Sequence, residues 1–333
     1  MNEIQPRDAA NRVCAGGKCN VVVTNSGKIL VMKEEYKDIL EEKKVERVSV
    51  GDMGVLVLKE DGKVYYIEEG RNGRACLKGI SDLVNISDIS VGEKHIIAID
   101  YDRRVMVCHL GEEAPKWSVM EDVYDAVSVS AGIDHSVVLL EDGSVLCWGC
   151  EGRRRGPDQV LKNAVAISAG GYHGMALTKS GEVVTWGSNN YGQRGCGNSK
   201  VGCSPSVVGG LSKKIVSISA GKYRCIACDV DGGVYVWGRG VGSKPYRLNL
   251  ENVVNVSGGE DTDLALDRDG KVYKISEGVM VSEERISETE EDTTSASSSV
   301  GDLENTTLAS SSVGDLEDTS EEDAWSVDSL ERV

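Results

Sequence analysis

Residues 167–195, ISAGGYHGMALTKSGEVVTWGSNNYGQRG, decide the fold of this chain. Two apolar runs flank a Ser-Gly pair at 180–181, and the second run ends in a Trp-Gly pair at 186–187. Glycine at such a point supplies the positive φ that a tight two-residue hairpin connection requires. The stretch therefore predicts an antiparallel hairpin, preceded by the short strand that ends in the Ser-Ala-Gly motif at 168–170.

The same pattern recurs seven times. Each copy has a short apolar strand that ends in Ser-Ala-Gly or a relative of it, and the third residues of these motifs are Gly16, Gly51, Gly92, Gly132, Gly170, Gly221 and Gly259. Eleven residues later each copy has a turn residue, namely Gly27, Gly62, Arg103, Gly143, Gly181, Gly232 or Gly270. The motif glycines are 35, 41, 40, 38, 51 and 38 residues apart, which is room for four short strands and their turns.

A unit of this size cannot bury its own faces, so successive units must stack on one another. Seven four-stranded sheets arranged radially form a β-propeller, which usually closes by pairing the two chain ends within one blade. We therefore predict an all-β, seven-bladed β-propeller of four-stranded antiparallel blades over residues 1–286. Residues 34–44 alone look helical, which disfavours a helical solenoid.

The chain of 333 residues has a formal net charge of −17. Residues 276–333 contain 17 acidic and two basic side chains, so the remainder is nearly neutral. Neither end carries a basic arm, which disfavours direct binding of nucleic acid. The absence of a long apolar run disfavours a membrane span, and the absence of a secretory signal predicts a cytoplasmic or nuclear protein with reduced cysteines.

The motifs resemble those of the regulator of chromosome condensation family, whose repeats read Ser-Ala-Gly, two variable residues, His, then Leu, Asp-Gly, Val-Tyr and Trp-Gly. The copy at 167–195 is nearly complete, and the resemblance covers residues 13–275. It implies a seven-bladed propeller whose founding member catalyses nucleotide exchange on the small GTPase Ran. In that member, acidic and His residues beside the motif turns form the face that binds the GTPase. The matching positions here are Lys94, His95, Asp134, His135, Tyr172, His173 and Asp261.

Each histidine has a structural alternative, which is to hold its blade by bonding a neighbouring turn. We expect a protein partner, with a small GTPase of the Ran type as the first hypothesis and a monomer as the oligomeric state. The alternative function is an adaptor or scaffold unrelated to GTPases. The short repeats favour the alternative, because they leave room for a nucleotide-displacing wedge only at residues 192–205 or 151–157.

Catalysis by covalent chemistry, a cofactor and a metal are not expected, since no nucleophile lies beside either member of the Asp134-His135 pair. Two Cys-x-x-Cys pairs, at 147–150 and 225–228, have a spacing that zinc uses, but residues three apart on a strand point to opposite faces. The basic cluster of Arg153, Arg154 and Arg155 is a candidate loop contact.

Residues 287–333 are predicted to be disordered, since they are acidic, rich in Ser and Thr, and poor in apolar residues. Ser299, Ser312 and Ser320 each have an acidic residue three positions later, which is the pattern that acidophilic kinases favour. Phosphate there would deepen the negative charge. In the adaptor alternative, this acidic tail recruits the partner.

Overall fold

The computed structural model describes residues 10–17, 19–25, 27–32, 37–41, 44–51, 54–69, 75–109, 116–149, 157–198, 204–277 and 279–284. These residues form 28 β-strands in seven sheets, and they include no helix. Each sheet has four strands that are consecutive in the sequence and pair antiparallel with one another. The fold is therefore the seven-bladed, four-stranded β-propeller that the repeats predict.

The strands are named by their place in each blade, from the axis outward. The first strands are β1 (Ala10–Ala15), β5 (Val45–Gly51), β9 (Ile86–Val91), β13 (Ala126–Ala131), β17 (Ala164–Ala169), β21 (Ile215–Ala220) and β25 (Val253–Ser257). The second are β2 (Asn20–Thr24), β6 (Gly54–Lys59), β10 (His95–Asp100), β14 (Ser136–Leu140), β18 (His173–Thr178), β22 (Arg224–Asp229) and β26 (Thr262–Asp267). The third are β3 (Lys28–Met32), β7 (Val64–Glu69), β11 (Val105–His109), β15 (Val145–Trp148), β19 (Val183–Gly187), β23 (Val234–Gly238) and β27 (Val272–Ser276). The outer strands are β4 (Lys37–Glu41), β8 (Ala75–Gly79), β12 (Trp117–Val119), β16 (Asp158–Leu161), β20 (Ser206–Val207), β24 (Gly242–Arg247) and β28 (Met280–Glu284).

The central hairpins are connected by three residues, and the prediction of a two-residue connection is wrong. In blade 5 the amide of Gly181 donates to the carbonyl of Thr178, and the amide of Thr178 donates to the carbonyl of Glu182. Gly181 alone adopts a positive φ there, 85°, whereas the two-residue turn would require a second such residue or Gly at the first position. Arg103 replaces this glycine in blade 3 and still adopts a φ of 63°.

The hydrophobic core is divided among the spaces between neighbouring blades. Between blades 5 and 6, Met175 and Leu177 of β18 pack with Ile215, Tyr235 and Trp237. Strand β22 has residues on both sides buried, because its alternating side chains face two successive cores. Burying both sides of the second strands explains why they read as continuous apolar runs in the sequence.

The ring closes by packing blade 7 against blade 1. The expectation that the two chain ends share one blade is wrong, since β1 to β4 form one sheet and β25 to β28 another. Val13 and Val22 of blade 1 share a core with Leu264 and Val272 of blade 7. The Ala15 amide also donates to the Ser257 hydroxyl at 2.9 Å.

The two ends of the ring have different loops. We call the end at which the motif glycines lie the motif face, and the opposite end, with the three-residue connections, the hairpin face. Strand β1 runs toward the motif face, and β28 runs away from it, because Met280 pairs with Ser276 and Glu284 with Val272. The described chain therefore begins and ends at the hairpin face.

The prediction that residues 34–44 are helical is wrong for the part that the structure describes. Residues 37–41 form strand β4, which pairs with β3 from Lys28↔Glu41 to Met32↔Lys37. The pairing available at the blade edge overrides the local helix preference of this charged segment. Across the described ranges there is no helix of the length and apolarity that a bilayer crossing needs.

The prediction that the cysteines are reduced is wrong at one position. Cys147 is disulfide-bonded. The other described cysteines form no disulfide bond, namely Cys14, Cys19, Cys76, Cys108, Cys196, Cys225 and Cys228. The spacing of the cysteines in the sequence did not indicate this disulfide.

Candidate partner-binding face

The motif glycines lie where the blades converge on the axis. A Cβ placed on Gly132 would lie 2.5 Å from the Gly170 carbonyl oxygen, and one on Gly170 would lie 2.5 Å from that of Gly221. Such distances exclude a larger side chain unless the backbone moves. Glycine in the motif therefore permits the close approach of successive blades around the axis.

The motif serines join each blade to the next. In six of the seven seams, the Ser hydroxyl accepts a hydrogen bond from the amide of the second motif residue of the following blade. The bonded pairs are Ser49–Val91, Ser90–Ala131, Ser130–Ala169, Ser168–Ala220, Ser219–Gly258 and Ser257–Ala15, at 2.9–3.0 Å. Blade 1 has Cys14 at this position, and its thiol donates to the Val48 carbonyl instead.

The three motif histidines are buried beneath the motif face. His95 Nε2 lies 2.7 Å from the Ser136 hydroxyl of the next blade, and His173 Nε2 lies 3.1 Å from Cys225 Sγ of the next blade. The side chains of His95, His135 and His173 are only 3 %, 3 % and 1 % exposed. The structure thus places them in the seams between blades and not at the surface.

Burial also sets the protonation of these histidines. Desolvation lowers the pKa of His95 to about 4 and that of His173 to about 3, with smaller contributions from neighbouring histidines. Burial likewise lowers the pKa of His135, although Asp134 and backbone carbonyls oppose the shift. All three imidazoles are therefore neutral near pH 7.

His135 lacks the contact that the other two make. The residue of the next blade that corresponds to Ser136 and Cys225 is Gly174, which has no side chain. The Trp186 indole occupies the space beside Gly174, since its ring atoms lie 2.3–2.7 Å from where a Cβ on Gly174 would be. His135 Nε2 therefore has no hydrogen-bond partner. The recurrence of His in the sequence did not show this difference.

The residues that directly precede the histidines are exposed on the motif face. Lys94 and Asp134 are exposed, and Tyr172 is 48 % exposed. Asp261, at the same position in blade 7, has a side chain that is 80 % exposed. Of the predicted site residues, these four form the accessible part of the motif face.

A shallow cavity, the axial mouth, opens on the motif face at the ring axis. Its walls are mainly the Gly and Ala residues of the motifs, and its charged lining residues are Glu93, Lys222 and Glu260. Lys222 Nζ lies 3.0 Å from Glu260 Oε1 and 3.7 Å from Glu93 Oε2. These three residues directly follow motif glycines, and the sequence analysis did not single them out.

Aromatic residues of blades 5 and 6 meet on the motif face. The rings of Tyr191 and Tyr223 meet edge to face at 5.2 Å between centroids, and the Arg239 guanidinium lies 5.4 Å from the Tyr223 centroid. Arg239 Nη1 is 3.9 Å from Asp261 Oδ1. We call Tyr172, Tyr191, Tyr223 and Arg239 the tyrosine platform. Sequence reasoning identified only Tyr172, because the loop that carries Tyr191 is specific to one copy.

That loop was also a candidate wedge, at residues 192–205. Its residues 192–198 lie against blade 6, where Trp237 Nε1 donates to the Gln193 carbonyl at 2.8 Å and Cys225 Sγ donates to it at 3.2 Å. Gly195, with a φ of 66°, fits against Val208 and Trp237. These contacts hold the described part of the loop on the ring.

Other candidate residues do not join this face. Cys225 and Cys228 pack in different cores on opposite sides of β22, as the spacing on a strand predicts. Within the described residues, no group of three or more His, Cys, Asp or Glu is arranged to hold a metal ion. The remaining candidates lie outside the described residues, namely Arg153, Arg154, Arg155, Ser299, Ser312 and Ser320.

The architecture and the motif face define a repeat β-propeller whose accessible site is a polar surface around the axis. Profiles of the regulator of chromosome condensation (RCC1) repeat match residues 126–154, 164–193 and 180–228. The chain is similar to this repeat family in these three stretches.

A curated protein and two solved structures are also similar to this chain, and the structures show the same fold. Protein pim1 of Schizosaccharomyces pombe is 25 % identical over 223 residues, which cover 58 % of this chain and 36 % of that protein. The chain thus spans about a third of this curated relative. Prp20p of Saccharomyces cerevisiae superposes with a TM-score of 0.65 at 16 % identity, covering 78 % of this chain and 84 % of the other. Human WBSCR16 superposes with a TM-score of 0.62 at 17 % identity, and the match covers 74 % of this chain and 80 % of that one.

Proposed function

We propose that the motif face binds a protein partner, and that this partner is a small GTPase of the Ran type whose nucleotide exchange the propeller regulates. The supporting observation is that Lys94, Asp134, Tyr172 and Asp261 are exposed together around the axis, at the position that the repeat family uses. The structure of Prp20p was described together with its binding to Gsp1p and histones. We place this activity in the cytoplasm or the nucleus.

Exchange needs no covalent chemistry. A propeller that binds the nucleotide-free GTPase more tightly than the nucleotide-bound form shifts the equilibrium toward release. The rigid ring suits this role, since its face need not reorganise on binding. Asp134 contributes an exposed carboxylate that accepts hydrogen bonds from the partner, while His135 directly after it is buried in the seam.

The direct test is the release of a fluorescent GDP analogue from Ran, with this protein in catalytic amounts. We expect acceleration by the unmodified chain and a rate constant about tenfold lower for Asp134→Ala, the loss typical of an interface contact worth about 1.4 kcal/mol. Asp122→Ala is the matched control, because Asp122 is equally exposed but lies at the hairpin face. If the unmodified chain does not accelerate release of the analogue, nucleotide exchange on Ran is excluded as its function.

The adaptor function is the second candidate. It is favoured by the loop at 192–198, which packs on blade 6 and so gives the described part of the chain no projecting wedge there. An adaptor would bind its partner on the same motif face without changing nucleotide release. Stable binding of Ran to the chain, with an unchanged release rate, would favour this candidate over exchange.

A further inference from the structure

Among the described residues of the axial mouth, two carboxylates approach one lysine. Glu93 and Glu260 both approach Lys222, but the closer contact, 3.0 Å, is with Glu260. Glu93 Oε2 is shielded from solvent and has no hydrogen-bond donor. A shielded carboxylate oxygen without a donor is costly, so a group that brings an N–H to Glu93 gains energy there.

The axial mouth, which Glu93 lines, can admit a slender side chain. The walls are backbone and small residues, because the motif places Gly or Ala at each inner strand end. The tyrosine platform lies at the edge of the mouth, since Tyr172 and Tyr223 directly follow Gly171 and Lys222, two of the lining residues. Tyr172 and Tyr191 are 48 % and 49 % exposed.

We propose that the axial mouth receives a lysine or arginine side chain from the partner protein, while the apolar residues next to it in the partner lie on the tyrosine platform. This inference rests on the proposed function only in that the motif face binds a protein. It adds the chemistry of the bound segment, which is one cation flanked by apolar residues.

Charge favours a cation over an anion at this point. Lys222 in the mouth and Arg239 in the tyrosine platform already face carboxylates, namely Glu260 and Asp261. Glu93 and Asp134 remain to interact with a partner. Tyrosine and arginine are also the residues that most often dominate binding energy at interfaces, and tyrosine faces attract cations.

The test uses the full chain with 13C-methyl-labelled alanine and two capped pentapeptides, GLRLG and GLELG. The alanines that line the mouth report occupancy, namely Ala15, Ala131, Ala169 and Ala220. The buried core alanines serve as an internal reference, namely Ala98, Ala227 and Ala265. We expect GLRLG to shift the mouth signals and leave the reference signals in place, and GLELG to shift neither.

Three variants locate the site. Glu93→Gln keeps the Glu260–Lys222 pair and is expected to weaken GLRLG binding about tenfold, the loss expected for one hydrogen bond to a charged group. Tyr191→Ala is expected to weaken binding as well. Tyr124→Ala should have no effect, since Tyr124 is 70 % exposed at the hairpin face. Unchanged reference signals in each variant establish that the ring is folded.

The outcomes separate this inference from the GTPase assignment. If GLRLG shifts the mouth alanines while Ran neither binds nor exchanges, the inference is supported and the GTPase assignment fails. If Ran binds but Glu93→Gln and Tyr191→Ala leave its affinity unchanged, the inference is overturned. Equal shifts by both peptides, or none from GLRLG, overturn it too.

Discussion

At the scale of the residue, neighbouring positions in the sequence differ in exposure on the motif face. Asp134 and Tyr172 are exposed, whereas His135 and His173 directly after them are buried in the seams. The sequence predicted the position of both sets, because the motif spacing is constant. It could not assign exposure, because a side chain at the end of a strand points to the face or to the seam according to how the next blade packs.

The buried histidines predict a dependence of stability on pH. The pKa of His173 is about 3 in the folded chain and 6.5 when exposed, so between these values the unfolded chain binds a proton that the folded chain does not. The free energy of unfolding therefore falls as the pH decreases from about 6.5, with a slope of about 1.4 kcal/mol per pH unit for each such histidine.

Replacement of His173 by Gln should remove one histidine's share of that slope. Urea unfolding of the unmodified chain and of His173→Gln at several values between pH 6.5 and 4.5 measures it. The variant loses the Cys225 contact and should be less stable at pH 7, but its slope should be smaller. Equal slopes would show that His173 is protonated in the folded ring.

At the scale of the element, one carbonyl fixes the loop that carries Tyr191. The Gln193 carbonyl accepts hydrogen bonds from Trp237 and Cys225 of blade 6, while the side chain of Gln193 is 1 % exposed. The Gly-rich sequence of this segment predicted a loop but not its course. Its course depends on Trp237, a residue more than forty positions away, and no local pattern encodes such a contact.

Two tryptophans allow a matched test of this anchor. Trp237 Nε1 donates to Gln193, whereas Trp186 Nε1 is buried without a partner. Trp237→Phe should cost about 1–3 kcal/mol, because a buried carbonyl loses a donor, and should speed amide exchange in residues 189–195. Trp186→Phe removes the same atoms without breaking a bond and should leave exchange in the loop unchanged. Similar exchange in both variants would contradict the anchor.

At the scale of the whole molecule, the repeats predicted the number of blades but not how the ring closes. The constant spacing from motif glycine to turn residue occurs seven times, and this number is the same whether or not the chain ends meet. Closure depends on Ser257 and Ala15, which form the same seam bond as the other blades. Because that bond resembles the other five, the sequence contains no special closing signal. The sequence also did not predict the Cys147 disulfide, because the spacing of cysteines does not specify which of them are close in the fold.

Removal of the acidic tail tests the domain boundary. The cores between the blades are made of residues 13–275, and the described strands end at Glu284. Deletion of residues 287–333 should therefore leave the thermal midpoint within about 2 °C, since the described cores contain none of these residues. Scanning calorimetry of the two chains measures this. A fall of many degrees would place part of the tail in the folded ring.

Because each sheet is built from one unbroken piece of chain, synthesis and assembly can run in the same order. Each blade can complete its hydrogen bonding as soon as its own four strands have left the ribosome, without waiting for a late segment to return. The last event is then a side-by-side docking of two finished modules, with no strand to insert. Such a ring can also gain or lose a module by in-frame duplication or deletion without leaving a half-built sheet.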